Sequence, residues 1–111
     1  MEFINLTPHT IVIKTETKEK KIDPSGTVAR VAVEEKEAGE IEGIPVIKRG
    51  FKEVEGLPEP KDGVVYLVSS LVLSAVKGRG DVFAPDTGNT AIRNEQGQIE
   101  AVTRLVSAGE L

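Results

Sequence analysis

Five consecutive residues, Val64-Val65-Tyr66-Leu67-Val68, leave water no polar side to approach. Side chains of an extended chain alternate between two faces. A strand that is apolar on both faces must therefore be covered on both, which places this segment in the middle of a sheet. Upstream lies Gly56-Leu57-Pro58-Glu59-Pro60-Lys61-Asp62-Gly63, whose prolines and glycines cannot sustain a ladder and read as a loop. Downstream come Ser69 and Ser70, either of which can cap a helix by accepting a bond from an N–H of its first turn. Leu71, Val72, Ala75 and Val76 then recur at helical spacing. The pattern predicts one short helix at about Ser70 to Lys77, with Gly78 supplying the left-handed residue beyond it. That helix is expected to fold back over the strand and cover it with Leu71, Val72, Ala75 and Val76.

The rest of the chain reads mainly as strands. Apolar residues make up 39% of the 111 residues but aromatics only 4%, so the core is aliphatic, built from β-branched side chains that favour extended structure. Strands are expected at 3–6, 10–14 and 18–22, the first of them broken by Thr7-Pro8-His9. Asp23-Pro24-Ser25-Gly26 is a turn, after which Thr27 to Val33 is expected to pair back as a hairpin. The charged stretch Glu34 to Gly39 reads as a loop or one helical turn. Ile41, Ile44, Val46 and Ile47 mark an irregular extended segment, with a further strand or its return at Gly50, Phe51 and Val54. Asp81-Val82-Phe83 is extended, 84–89 a turn-rich loop, and Thr90 to Leu105 a terminal hairpin around Asn94-Glu95-Gln96-Gly97. Residues 1–111 thus read as a single, mainly β domain, a partly closed barrel or sandwich with one short α-helix.

Several functional classes are disfavoured. Without cysteine there is no disulfide, thiolate metal site or cysteine nucleophile. Small secreted domains usually carry disulfides, and Met1 to Asn5 shows no basic, apolar leader, so a cytoplasmic location is expected. The apolar-rich run from Val64 to Val76 is too short to span a bilayer, so no membrane partner is expected. A net charge of −4 argues against general nucleic-acid binding. The preference for Lys and Glu over Asn, Gln, Met and Cys is the composition of thermophilic proteins. The alternating charges from Lys14 to Lys21 suit a solvated strand edge that resists association.

Short motifs give little chemistry. Asp86-Thr87-Gly88 copies the tripeptide of aspartic proteases, where paired carboxylates share a proton. Here Ala84-Pro85 precedes it instead of a buried apolar strand, and Pro-Asp-Thr-Gly is turn chemistry. Arg79-Gly80-Asp81 spells an integrin-type tripeptide but reads as the turn after the helix. His9 is the only histidine, which excludes a histidine zinc cluster. As a general base it would need Ser69 or Ser70 beside it, and no nucleophile-elbow pattern surrounds those serines. Gly78-x-Gly80 is not a phosphate loop, because it follows a helix instead of opening one. Asn5-Leu6-Thr7 matches a glycosylation acceptor, which has no meaning in a cytoplasmic chain.

Taken together, Asn5-Leu6-Thr7-Pro8-His9, Pro24-Ser25-Gly26-Thr27-Val28-Ala29-Arg30, Tyr66-Leu67-Val68-Ser69-Ser70-Leu71-Val72, Gly78-Arg79-Gly80-Asp81-Val82 and the closing Arg93-Asn94-Glu95-Gln96-Gly97 give the chain its one family likeness. In this order the segments resemble those of small proteins carried by phages, prophages and plasmids. The resemblance covers most of the chain and implies a mobile-element origin, with no functional residue carried over.

Thr7, His9, Arg30, Ser69, Arg79, Asp81 and Asp86 fall at strand ends, a helix start and turns, where sites are often built and where caps and turn residues also belong. No complete catalytic constellation is present. The expected function is a non-enzymatic binding or interaction module, without metal or cofactor, for a protein partner or a small anionic ligand. Its binding residues would be Arg30, Arg79, His9 and Asp81. The alternatives are a small hydrolase or transferase using His9 or the pair Asp81 and Asp86, and a structural virion component.

Overall fold

The structure, a computed structural model, describes residues 1–109. Its centre is a four-stranded sheet in the order β1 (Glu2–Asn5), β6 (Val64–Leu67), β7 (Val82–Pro85) and β10 (Leu105–Ser107). β1 and β7 both run parallel to β6, and β10 closes the edge antiparallel to β7. All four residues of β6 are buried, as its two apolar faces require. The pleat divides them. Val64, Tyr66 and Val68 join Leu6, Val72, Val76 and Val82 in one cluster. Val65 and Leu67 join Ile11 and Ile22 in another. The helix α1 (Ser70–Ala75) covers the first side. The ribbon of β2 (Ile11–Lys14) and β3 (Glu19–Ile22) covers the second. Tyr66 takes its ring into the core because its hydroxyl reaches the carbonyl of Glu59 in the proline-rich loop, 3.3 Å away.

Ser69 caps α1, accepting the N–H of Val72. The helix stops at Ala75, short of Lys77, and Val76 is already extended, although Gly78 does lie at positive φ. Leu71 corrects the expected packing. It is 51% exposed, while Val72 and Val76 are buried and Leu73 is packed beside them. The segment Leu-Val-Leu-Ser-Ala-Val is apolar around most of its circumference, so spacing alone leaves open which stripe faces inward.

The second correction concerns residues 27–51. Thr27 to Val33 does not pair back as a hairpin on β3. Residues 27–32 run irregularly, tied by the bridge Arg30–Glu55 and by the Ala29 N–H to the Leu6 carbonyl. The stretch from Glu34 to Gly39 is neither loop nor helical turn. It lies within β4 (Val33–Ile41), which pairs antiparallel with β5 (Ile44–Phe51). Glu42 and Gly43 form the tip, both at positive φ, the geometry that matches the twist of a two-residue hairpin. A bulge between Glu37 and Gly39 shifts the register. This ribbon stands away from the body. The radius of gyration is 16.7 Å, against about 13 Å for a compact chain of about this length.

The terminal hairpin is shorter than expected, joining β8 (Ile92–Arg93) to β9 (Ile99–Ala101), because Leu105 leaves it to enter β10. The protein is thus mainly β with one short helix. Among the described residues the strands form one open sheet and three two-stranded ribbons, not a closed barrel.

Candidate functional site

A cleft of about 600 Å³ lies where the parallel strands end. Thr7, Pro8 and His9 follow β1, Val68, Ser69 and Ser70 follow β6, and Pro85 and Thr87 close β7. Ile11 and Val12 of β2 contribute another wall, and Ile99, Glu100, Ala101 and Val102 a third. In open parallel sheets, ligands characteristically bind in the crevice beyond the carboxyl ends of the strands. A mostly apolar lining with a few converging polar groups is also the usual character of a small-molecule site.

One buried side chain builds the His9 rim. Asn5, 1% exposed, ends β1 with its amide turned inward. Its Nδ2 donates to the carbonyl oxygens of His9, 2.7 Å away, and Ile22, 3.0 Å away. Its Oδ1 accepts from the Thr7 N–H at 2.9 Å and lies 2.7 Å from Thr7 Oγ1. Thr7 Oγ1 is also 3.0 Å from the His9 carbonyl, so its single proton serves one of these two acceptors. The amide bonds through both its nitrogen and its oxygen, pinning β1, the 7–9 turn and the end of β3 to one another. The His9 backbone is held in this way and its exposed imidazole is left over: among the described residues it has no hydrogen-bond partner within the chain. The hydroxyl of Ser70 is likewise unengaged among them, whereas Ser69 Oγ is committed to the helix cap.

The other candidate residues are not part of this cleft. Arg79 and Asp81 bind one another through two 2.8 Å contacts, and Arg79 also donates to the carbonyl of Pro58. The hydrogen bond from Arg79 holds the Asp81 carboxyl below its ordinary pKa, and the same bond raises that of Arg79. The pair fastens the turn after α1 to the proline-rich loop. Arg30 lines a separate groove of about 410 Å³ with Lys52, Glu53 and Glu55. Asp86 sits between two lining residues, but its carboxylate engages Arg104 at 2.6 Å, the Gly88 N–H at 3.0 Å and Thr90 at 3.4 Å. Arg104 first, then the Gly88 N–H, lowers its pKa. These bonds make the Asp-Thr-Gly segment a turn fixed by its own aspartate.

His9 and the two serines do share the cleft, so the chain brings together one pair of groups that sequence reading left apart. Asn5 was the residue missed. Its signal was present: an Asn that closes an apolar strand before Leu-Thr-Pro is placed to accept the N–H two residues on. Among the described residues no group of three or more His, Asp or Glu is arranged to hold a metal ion. No helix among them is long and apolar enough to cross a membrane. Compared with protein families, curated proteins and solved structures, the chain has no match in any of the three.

Proposed function

We propose that the protein is a non-enzymatic binding module whose ligand occupies the cleft at the ends of β1, β6 and β7. The ligand has an apolar body and a hydrogen-bonding end, a carboxylate or a carbonyl. The observation that carries this reading is the pairing of an apolar floor with two unengaged polar groups, the His9 imidazole and the Ser70 hydroxyl, held by rigid strand ends. The Asn5 network supports it further. A buried amide bonded through both its nitrogen and its oxygen, fixing one turn, is the kind of support that keeps a binding group in place before the ligand arrives.

Amide NMR during titration with a library of small aromatic and aliphatic carboxylic acids tests the proposal. Shifts concentrated at residues 7–12, 68–70 and 99–102, and reduced in His9→Ala and Ser70→Ala, are the expected result. Absence of binding across the library, or shifts confined to the Arg30 groove, would refute this site. A second reading, a small hydrolase using His9, is favoured by one observation: Ser69 and Ser70 line the same cleft. Against it, both Asp81 and Asp86 are engaged by arginines and neither orients His9. Hydrolysis of nitrophenyl esters by the parent protein, lost in His9→Ala and Ser70→Ala, would decide for the hydrolase.

A further inference from the structure

The second core cluster is not closed on every side. Between the β2–β3 ribbon and the sheet that it covers, a slot of about 340 Å³ opens to solvent, floored by Phe3 of β1, Ile13 of β2 and Leu105 of β10. All three are only half-buried and pack against the cluster of Ile11, Ile22, Val65 and Leu67, so the slot continues the core outward. It shares no lining residue with the cleft at the ends of β1, β6 and β7.

Lys20 stands where an apolar side chain would close this slot. Ile22 of the same strand is buried in the cluster. Side chains two residues apart on a strand share a face, so Lys20 falls on the same core-facing side, opposite Ile13. Glu19 and Lys21 fall on the outer side, opposite Lys14 and Val12. The Lys20 ammonium lies over the Phe3 ring, 4.8 Å from its centroid. At an exposed site such a contact is weak. Among the described residues Lys20 forms no ion pair, and neither does Lys18, which also lines the slot. The acidic groups nearby are directed elsewhere. Glu19 borders the slot, but its carboxylate meets Lys14 at 4.0 Å. Glu2 alternates with Phe3 and so belongs to the opposite face of the sheet. Glu16, between β2 and β3, does not line the slot. An apolar floor is thus combined with two uncompensated cations.

We propose that this slot is a second binding site, for a small aromatic anion whose ring lies against Phe3, Ile13 and Leu105 and whose carboxylate or sulfonate pairs with Lys20 and Lys18. A volume of about 340 Å³ is at the small end of ligand pockets, which suits a compact ring system and not a peptide. The anion draws Lys20 off the Phe3 ring, because a charge-assisted hydrogen bond is stronger than a cation–π contact at a surface. The freed face of Phe3 then receives the ring of the ligand. An inward charge on an edge strand also discourages pairing with another chain. That role makes no demand on the charge of a small molecule, which is what the test reads.

Amide NMR of the full chain, titrated with 2-naphthalenesulfonate and separately with the uncharged 2-naphthalenemethanol, tests this. The sulfonate is expected to bind the parent with a dissociation constant below about 1 mM, shifting residues 3, 18–20 and 105. The alcohol is expected to bind at least about tenfold more weakly, the usual worth of a hydrogen bond to a charged group. Lys20→Gln is expected to weaken the sulfonate by a similar factor. Lys21→Gln, which removes the same charge from the outer side of the same strand, is expected to leave binding within about twofold of the parent. Absence of shifts at residues 3, 18–20 and 105 with about 5 mM sulfonate would overturn the proposal. So would shifts confined to residues 7–12, 68–70 and 99–102, which would put the sulfonate in the other cleft. Lys20→Gln that binds like the parent, or an alcohol that binds as tightly as the sulfonate, would overturn it too, since either shows that the charge is not recognised. An amide spectrum otherwise like the parent's confirms that each variant is folded. If Lys20→Gln is not, Lys18→Gln takes its place, and binding equal to the parent's would overturn the proposal.

Discussion

Asn5→Ala removes the side chain on which three segments converge. It deletes the donors to the His9 and Ile22 carbonyls and the acceptor for the Thr7 N–H and hydroxyl. His9 is exposed, so water can satisfy its carbonyl. The Thr7 N–H and the Ile22 carbonyl are on buried residues and lose a partner that water replaces poorly. Leaving a buried group unpaired costs about 1–3 kcal/mol, so the two together cost about 2–6 kcal/mol. The whole stability of a domain is only about 5–15 kcal/mol. At about 4 °C or more per kcal/mol, the melting temperature should fall by at least about 8 °C. Asn5→Asp is the control, because it keeps the shape and the acceptor for Thr7 but sets a second oxygen against two carbonyls. Its carboxyl is favoured protonated in the folded state, which raises its folded pKa above the unfolded value. The deficit relative to the parent is then small below the ordinary carboxylate pKa and grows as pH rises through the raised folded value. Differential scanning calorimetry across pH reads both effects. A shift for Asn5→Ala of less than about 3 °C would show that the network holds little of the fold together.

Three further outcomes follow from the packing. Leu67→Ala, at a side chain with no exposure, should cost about 2–5 kcal/mol, whereas Leu71→Ala, on the outer side of the helix, should stay within about 0.5 kcal/mol, both read by urea unfolding. Gly56→Ala should destabilise far more than Gly97→Ala in thermal melts. Both glycines have positive φ, but a Cβ at Gly56 would lie 2.6 Å from the Val28 carbonyl oxygen while one at Gly97 meets nothing. The Arg79–Asp81 pair should contribute stability above the ordinary Asp pKa of 3.8 that is lost as pH falls through the lower folded value. Asp81→Asn should therefore melt lower than the parent at neutral pH, and the gap should narrow under acid conditions.

The central strand and the capped helix were legible in the sequence because each is a local rule acting on neighbours. Val64 to Val68 has no polar face, and Ser69 precedes an apolar helical stretch. Asp23 to Gly26 was read as a hairpin turn, but Pro24 instead bridges Asn5 in parallel and Ser25 donates to the Asn5 carbonyl, so the segment follows β1 and does not fold the chain back. The β4–β5 ribbon was not legible, for a physical reason. Hydrophobic periodicity records burial, and a ribbon with neither face in the core has no period to record. Its charged residues, Glu34 to Glu40, were held extended by pairing with β5, a partner that local pattern does not name. The same limit applies to the candidate site. The sequence supplied His9, Ser69 and Ser70 as isolated polar residues, and supplied Arg79, Asp81 and Asp86 on equal terms. Only the parallel pairing of β1, β6 and β7 brought the first three to one cleft, while short-range ion pairs took up the others. A residue's chemical type is fixed by the sequence. Whether its polar group is spent on a neighbour or left for a ligand depends on which strand ends the tertiary structure sets side by side.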